Sequence, residues 1–169
     1  MARQPLLKIE SPKIFMTNFA GVPTNNNPQG HRQFAMEIPT QEMADAMKAE
    51  GWAVWQTKES ERYGEPRPCI TVEIRFHHEK DLMWLNPKIY KCTRSNPKGT
   101  LLTEELIGDL ENDEIEDYIL WINPSPWNVN GKTGIKAYVH SLWVKVEDSD
   151  PTRKFWGNLD DEEEMPFEE

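Results

Sequence analysis

Cysteine is scarce and long apolar runs are missing. Cys69 and Cys92 are the only thiols among 169 residues, too few for a disulfide framework and suited to a reducing compartment. The longest unbroken apolar stretch is the five residues Tyr118-Ile119-Leu120-Trp121-Ile122, where a membrane helix needs about 20. The opening Met1-Ala2-Arg3-Gln4-Pro5 lacks the apolar stretch of a secretory signal. No phosphate loop, G-x-G-x-x-G or G-x-S-x-G pattern occurs, and neither zinc-finger spacing nor H-E-x-x-H is present. His77 and His78 are adjacent, so in a strand they point to opposite faces and cannot converge on one ion. The expectation is a non-enzymatic chain with no metal, no cofactor and no membrane span.

Charge is plentiful but unevenly placed. The formal net charge is -10, from 19 basic and 29 acidic side chains. Ten of the acids fall between Glu147 and Glu169, against Arg153 and Lys154 alone, and eight more lie between Glu104 and Asp117 with no base among them. The rest carries 17 positive against 11 negative charges and can present a basic face to a polyanion in spite of the acidic total. The Glu104–Asp117 acids read as a solvated, loosely helical face. Read as magnesium ligands, they would instead suggest a small metal-dependent nuclease.

Periodicity points to many short strands. Leu7 to Phe19 is β-branched and aromatic with a break at Ser11-Pro12, and Gln33 to Ile38 alternates. Thr40 offers an N-cap oxygen to a short helix with Met43, Ala44 and Met47 at helical spacing and Gly51 as its stop. Trp52 to Thr57 reads as a strand. Ile70, Val72, Ile74 and Phe76 alternate with Thr71, Glu73, Arg75 and His77, a half-buried strand with a polar outer face. Leu82–Leu85 and Lys88–Thr93 are further strand candidates, and Asn96-Pro97-Lys98-Gly99 is a turn. Asp117–Asn123 and Ile135–Val146 read as long paired strands with Asn130-Gly131 near the bend. Together these features predict a mainly β chain, a small barrel or sandwich with one or two short helices. An oligonucleotide-binding (OB) barrel over residues 1–147 is compatible, followed by an acidic, disordered and flexible tail over 148–169.

Seven tryptophans in so short a chain exceed what a core of this size needs. Several rings stand beside cations: Trp84; Tyr90 with Lys88, Lys91 and Arg94; Trp127 with Lys132; and Tyr138 with Lys136. Unpaired bases stack on such rings at about 1–3 kcal/mol each while cations track phosphates, though Trp and Tyr also fill cores. Trp127 stands out because Pro124-Ser125-Pro126-Trp127-Asn128 reads as too polar and kinked for a deep interior. At the other end, Asp160-Asp161-Glu162-Glu163-Glu164 runs into Met165-Pro166-Phe167, an acidic stretch with an apolar anchor that suits docking to a partner.

These segments carry a resemblance. Asp160 to Phe167 is similar to the Asp-Asp-Asp-Ile-Pro-Phe tip of bacterial single-stranded DNA-binding proteins. Phe15-Met16-Thr17-Asn18-Phe19-Ala20-Gly21, Arg32 to Pro39, Glu50-Gly51-Trp52-Ala53-Val54, Pro124 to Lys132 and Gly134 to Val139 resemble phage-encoded single-stranded DNA-binding proteins with an OB barrel. The resemblance implies sequence-tolerant binding of single-stranded DNA in phage replication or recombination, in the cytoplasm of the infected cell. The DNA-contacting residues would be Arg32, Trp84, Tyr90, Lys91, Arg94, Trp127, Lys132, Lys136 and Tyr138. Asp160, Asp161, Met165, Pro166 and Phe167 would recruit replication or recombination proteins and compete with DNA, and a homo-oligomer is compatible. One departure is plain: Glu168 and Glu169 follow Phe167, so the phenylalanine does not supply the terminal carboxylate that the bacterial tip offers. A DNA-mimic inhibitor, acting through the acids themselves, is the other competing reading.

Overall fold

Strand alternation and two tight turns generate most of the architecture. The computed structural model describes residues 5–25, 27–59 and 64–147; the acidic tail expected from 148 onward lies outside them. Along the described residues run β1 (Leu7–Glu10), β2 (Ile14–Asn18), β3 (Gln33–Glu37), α1 (Gln41–Glu50), β4 (Trp55–Gln56), β5 (Pro68–Glu73), β6 (Lys88–Cys92), β7 (Thr100–Leu102), β8 (Ile115–Val129) and β9 (Lys132–Val146). Two 3₁₀ turns, Met83–Leu85 and Ile107–Asn112, complete the list.

The sheet order is β1-β8-β9-β5-β3-β2, with β4 beside β5 and β7 beside β6. Hydrogen bonding leaves this path open. Its two edges, β1 and β2, are nevertheless consecutive segments separated by Ser11-Pro12-Lys13. The Ser11 N–H donates to the Tyr118 carbonyl at 3.0 Å, and the Glu37 N–H donates to the Lys13 carbonyl at 3.0 Å. One bent segment therefore borders β8 on one side and β3 on the other, as in an OB-like fold. The enclosed core gathers Phe19, Phe34, Met36, Ile70, Val72, Ile89, Leu120, Ile122, Leu142 and Val144.

α1 has the expected punctuation. Thr40 Oγ1 accepts from the Met43 N–H at 3.1 Å, and Gly51 ends the helix at φ +108, a conformation that costs a side-chain-bearing residue dearly. Ala44 and Met47 are its buried residues.

The β8–β9 hairpin is longer than the sequence suggests. Asn130 (φ 52) and Gly131 (φ 81) lie between the paired residues Val129 and Lys132, the two-residue turn that matches strand twist. β8 runs straight through Pro124-Ser125-Pro126 rather than kinking there. With Val129 and Lys132 closing the turn, odd-numbered residues of β8 exchange hydrogen bonds with β9, and both prolines turn their missing N–H toward the free edge, where it costs nothing.

β9 changes partner part-way. Val72 and Glu73 of β5 pair with its Ala137 and Tyr138, whereas Lys88–Cys92 of β6 pair with Ser141–Lys145. Across the hairpin Trp121 faces Ser141 and Ile122 faces Val139, so His140 is an extra, bulged residue. Core positions accordingly shift from Ile135, Ala137 and Val139 to Leu142, Val144 and Val146.

Further expectations are corrected. The alternating strand read from Ile70 to His77 ends at Glu73, and the chain leaves the ladder with the Ile74 N–H donating to the Arg32 carbonyl at 2.8 Å. Leu82–Leu85 is not a strand but centres on a 3₁₀ turn; Asn86 ties the loop's ends, its Oδ1 accepting from the His77 N–H at 2.6 Å. Between Trp52 and Thr57 only Trp55–Gln56 forms a strand, with Trp52 making one isolated bridge to Ile135. The Glu104–Asp117 acids are not simply solvated, because they tie strands together. Glu111 accepts from the Phe19 N–H at 2.7 Å and the Thr17 hydroxyl at 2.9 Å. Asp113 pairs with Lys91 at 2.9 Å, and Glu104 pairs with Arg32 at 3.2 Å and His78 at 2.7 Å.

Candidate nucleic-acid interface

The polar side of β5, Thr71 and Glu73, becomes the floor of a surface groove that Arg75 and His77 continue just past the strand's end. Strand register fixes its neighbours. Gln33, Glu73, Tyr138 and Asn123 form one row across β3, β5, β9 and β8. One pleat along, Lys136 faces Ser125. Two concavities lie along this face. One, of about 290 Å³, is lined by Trp52, Trp55, Thr71, Glu73, Trp127 and Lys136. The other, of about 430 Å³, is lined by Arg75, Trp84, Lys88, Asn123, Tyr138 and His140. The second opens where β9 exchanges β5 for β6, beneath the loop that carries Trp84.

Rings line the groove's length. Trp127 is 41% exposed and lies flat on the β9 backbone opposite Gly134, where a Cβ would stand 2.6–2.8 Å from three indole atoms. Only glycine at 134 leaves the indole this seat. Trp55 donates its indole N–H to the Thr71 hydroxyl at 3.2 Å and meets Phe15 edge-on at 6.1 Å. Trp84 is 73% exposed, its indole N–H held by the Asp81 carbonyl at 2.9 Å.

The cations divide into free and engaged. Among the described residues Arg75 and Lys88 are exposed and in no ion pair. Lys136 is engaged: its ammonium lies 2.6 Å from Glu73 Oε2 and 5.3 Å from the centre of the Tyr138 ring. The hydrogen bond to Glu73 is the main reason its pKa is raised above the ordinary lysine value. Glu73 is itself buried, and His31 Nδ1 lies 3.5 Å from its other carboxylate oxygen.

The structure thus brings together Trp84, Trp127, Lys136 and Tyr138 of the residues singled out from sequence, with Lys132 exposed at the hairpin's end. It sets others apart. Tyr90 stacks on Trp143 at 5.1 Å, on the outer surface past the His140 bulge and two residues beyond Lys88. Lys91 pairs across β6–β9 with Val144, a core position, so alternation turns it away from Tyr90 and toward Asp113. Arg94 is exposed in the turn after β6. Arg32 is built into the fold, its Nε donating to the Phe19 carbonyl at 3.0 Å and its guanidinium paired with Glu104. His77 lines the groove while His78 pairs with Glu104, so the two imidazoles face different surroundings.

Comparison with known families decides the chain's kinship. A family model described as "Putative phage ssDNA-binding domain" matches residues 1–164. The chain belongs to this family. Among solved structures it is similar to the single-stranded DNA-binding protein from bacteriophage Enc34 in complex with ssDNA, at 10% identity and a TM-score of 0.51, covering 85% of this chain and 88% of that one. The truncated form of the Enc34 protein gives 11% identity, 85% and 87% coverage and a TM-score of 0.49. The single-stranded DNA-binding protein encoded by bacteriophage T7 gives 12% identity, 87% and 94% coverage and a TM-score of 0.40. No curated protein sequence matches the chain. At 10% identity the likeness to the Enc34 complex speaks for the fold alone.

The groove of this phage-family domain includes residues that sequence reasoning passed over. The sequence pattern marks Trp55 only as a strand residue and gives Arg75 and His140 no role. For Arg75 the sequence holds a signal, because it continues the polar alternation of Thr71 and Glu73, although β5 itself ends at Glu73. For His140 there was none, because a bulge is invisible to alternation.

Proposed function

We propose that this domain binds single-stranded DNA with little sequence preference, through the groove that crosses β5, β8 and β9. What supports the reading most is the arrangement of Trp55, Trp127, Tyr138 and Trp84 along one face with Arg75 and Lys88 beside them, the combination of stacking rings and phosphate-tracking cations that unpaired strands require. Duplex DNA binds more weakly because its bases are not free to stack. Past the bulge, Tyr90 on Trp143 extends the track beyond Lys88, and Lys132 meets the backbone at the hairpin's end. The setting is phage DNA replication or recombination in the cytoplasm of the infected bacterial cell. The acids of residues 160–169 compete with DNA for the groove, and Met165-Pro166-Phe167 recruits a partner protein.

Titration with oligo-dT, followed by tryptophan fluorescence at two salt concentrations, tests this. Binding quenches the fluorescence and weakens with salt, with a log–log slope of about -0.7 for each phosphate neutralised on a single strand. Affinity that does not respond to salt refutes the groove, and shortening of the oligonucleotide in magnesium refutes a purely binding role.

A further inference from the structure

A nearly buried carboxylate is an odd occupant for the floor of a groove that receives a polyanion. Glu73 is 8% exposed, and it holds the Lys136 ammonium at 2.6 Å. The side chain of Lys136 is 53% exposed, so it has room to swing, yet its head group lies inward, 5.3 Å from the centre of the Tyr138 ring. Lys136 thereby occupies the ring face on which a base would stack. We infer that Glu73 and Lys136 form a latch over Tyr138, which single-stranded DNA opens by placing a base on the ring and drawing Lys136 to a phosphate. The inference rests on the binding reading above and adds the residue that limits affinity.

Counterion bookkeeping makes the latch distinguishable from a plain phosphate contact. A free lysine that neutralises a phosphate releases a counterion from the DNA and adds about -0.7 to the salt slope of a single strand. In the latched protein Lys136 must leave Glu73 first, and the abandoned carboxylate takes up a cation from solution. Release and uptake cancel, so Lys136 adds almost nothing to the slope while Glu73 is present. His31, 3.5 Å from the same carboxylate, is the partner that remains when the latch is open. A positioning role for Glu73 would give the opposite sign, because losing it would leave Lys136 badly aimed.

The test is a double-mutant cycle on the full chain: wild type, E73Q, K136Q and the double variant. Each is titrated with oligo-dT over a salt series, with thermal midpoints measured in parallel. E73Q is expected to bind about three- to tenfold tighter at low salt, the range of one ordinary net hydrogen bond, and to steepen the slope by about 0.7. K136Q alone leaves the slope unchanged, and in the E73Q background it removes the whole gain. Weaker binding by E73Q, or a K136Q effect of equal size in both backgrounds, overturns the latch. Should E73Q fail to fold, K136Q alone decides: a slope flattened by about 0.7 overturns the proposal and an unchanged slope supports it. Failure of wild type to bind oligo-dT at all refutes the binding reading instead.

Discussion

Gly134→Ala probes the groove without touching a ring or a charge. Gly134 is not among the residues with positive φ, so its backbone accepts alanine without strain. The space above it does not, because a Cβ would stand 2.6, 2.7 and 2.8 Å from Cζ2, Cε2 and Nε1 of Trp127, well inside van der Waals contact. The indole must lift or rotate away. Stability is expected to change little: alanine gains about 0.4–1 kcal/mol by restricting the unfolded chain, and the lost contact is that of a ring already 41% exposed. A net change within about 1 kcal/mol moves the thermal midpoint by roughly 2–4 °C in a chain of this size. Binding should suffer more. A base–ring stack contributes about 1–3 kcal/mol, so displacement of Trp127 is expected to weaken oligo-dT binding about five- to 150-fold, and Trp127→Ala should match it. Fluorescence titration and thermal melting on both variants provide the check. If Trp127→Ala instead costs about 3–5 kcal/mol of stability, as truncation of a core aromatic does, with affinity intact, then Trp127 is a packing residue and the stacking assignment fails.

Arg75→Ala and Lys88→Ala should each weaken binding to all sequences alike and flatten the salt slope by about 0.7; an unchanged slope removes that residue from the phosphate track. Arg32→Ala should act on the fold, since it deprives Glu104 and the Phe19 carbonyl of a donor, a loss of about 1–3 kcal/mol read as a lower midpoint, with affinity held; lost affinity at an unchanged midpoint would return Arg32 to the DNA surface. Deleting residues 160–169 removes seven carboxylates and should tighten oligo-dT binding, most at low salt where screening is least; weaker binding refutes the competition. Burial, then the nearby Glu111, pushes the Tyr118 hydroxyl up to about 12 from an ordinary 10. The native state therefore resists its ionisation, and this contribution is whole below pH 10 and lost as pH rises through about 12. Tyr118→Phe should retain its midpoint better than wild type over that interval, and parallel losses in the two proteins would place the alkaline transition elsewhere.

Much of the fold was legible because it depends on local chemistry. Thr40 and Gly51 mark the ends of α1, Asn130-Gly131 marks the hairpin, and the alternation from Ile70 marks a core strand, though it overshoots the strand's end at Glu73. The misreadings arise where tertiary context overrules the local pattern. Pro124 and Pro126 suggest a kink, yet a proline with its nitrogen on a free strand edge breaks no ladder bond. The Glu104–Asp117 acids look solvated until Phe19, Lys91, Arg32 and His78 come to meet them. The candidate site was half legible for a related reason. Pairing a ring with its neighbouring cation in sequence finds Trp127 and Tyr138, but it also selects Lys91, which alternation sends to the other side of β6, and it misses Arg75 and Trp55, which only the tertiary fold brings to the same groove.

The bulge at His140 explains why the groove lies where it does. An unbulged β9 would keep Ile135, Ala137, Val139 and then Ser141, Trp143 and Lys145 on one side, placing a serine, a tryptophan and a lysine against the core beside Leu120. One extra residue exchanges Leu142, Val144 and Val146 inward and leaves Trp143 free to stack outside on Tyr90. The same residue bends the strand as its neighbour changes from β5 to β6, and the second concavity opens at that change. Arg75, just past the end of β5, and Lys88, at the start of β6, come from opposite sides of the gap to line it. The element that reconciles core packing in the two halves of β9 therefore also brings two free cations beside Tyr138, which neither half could do alone.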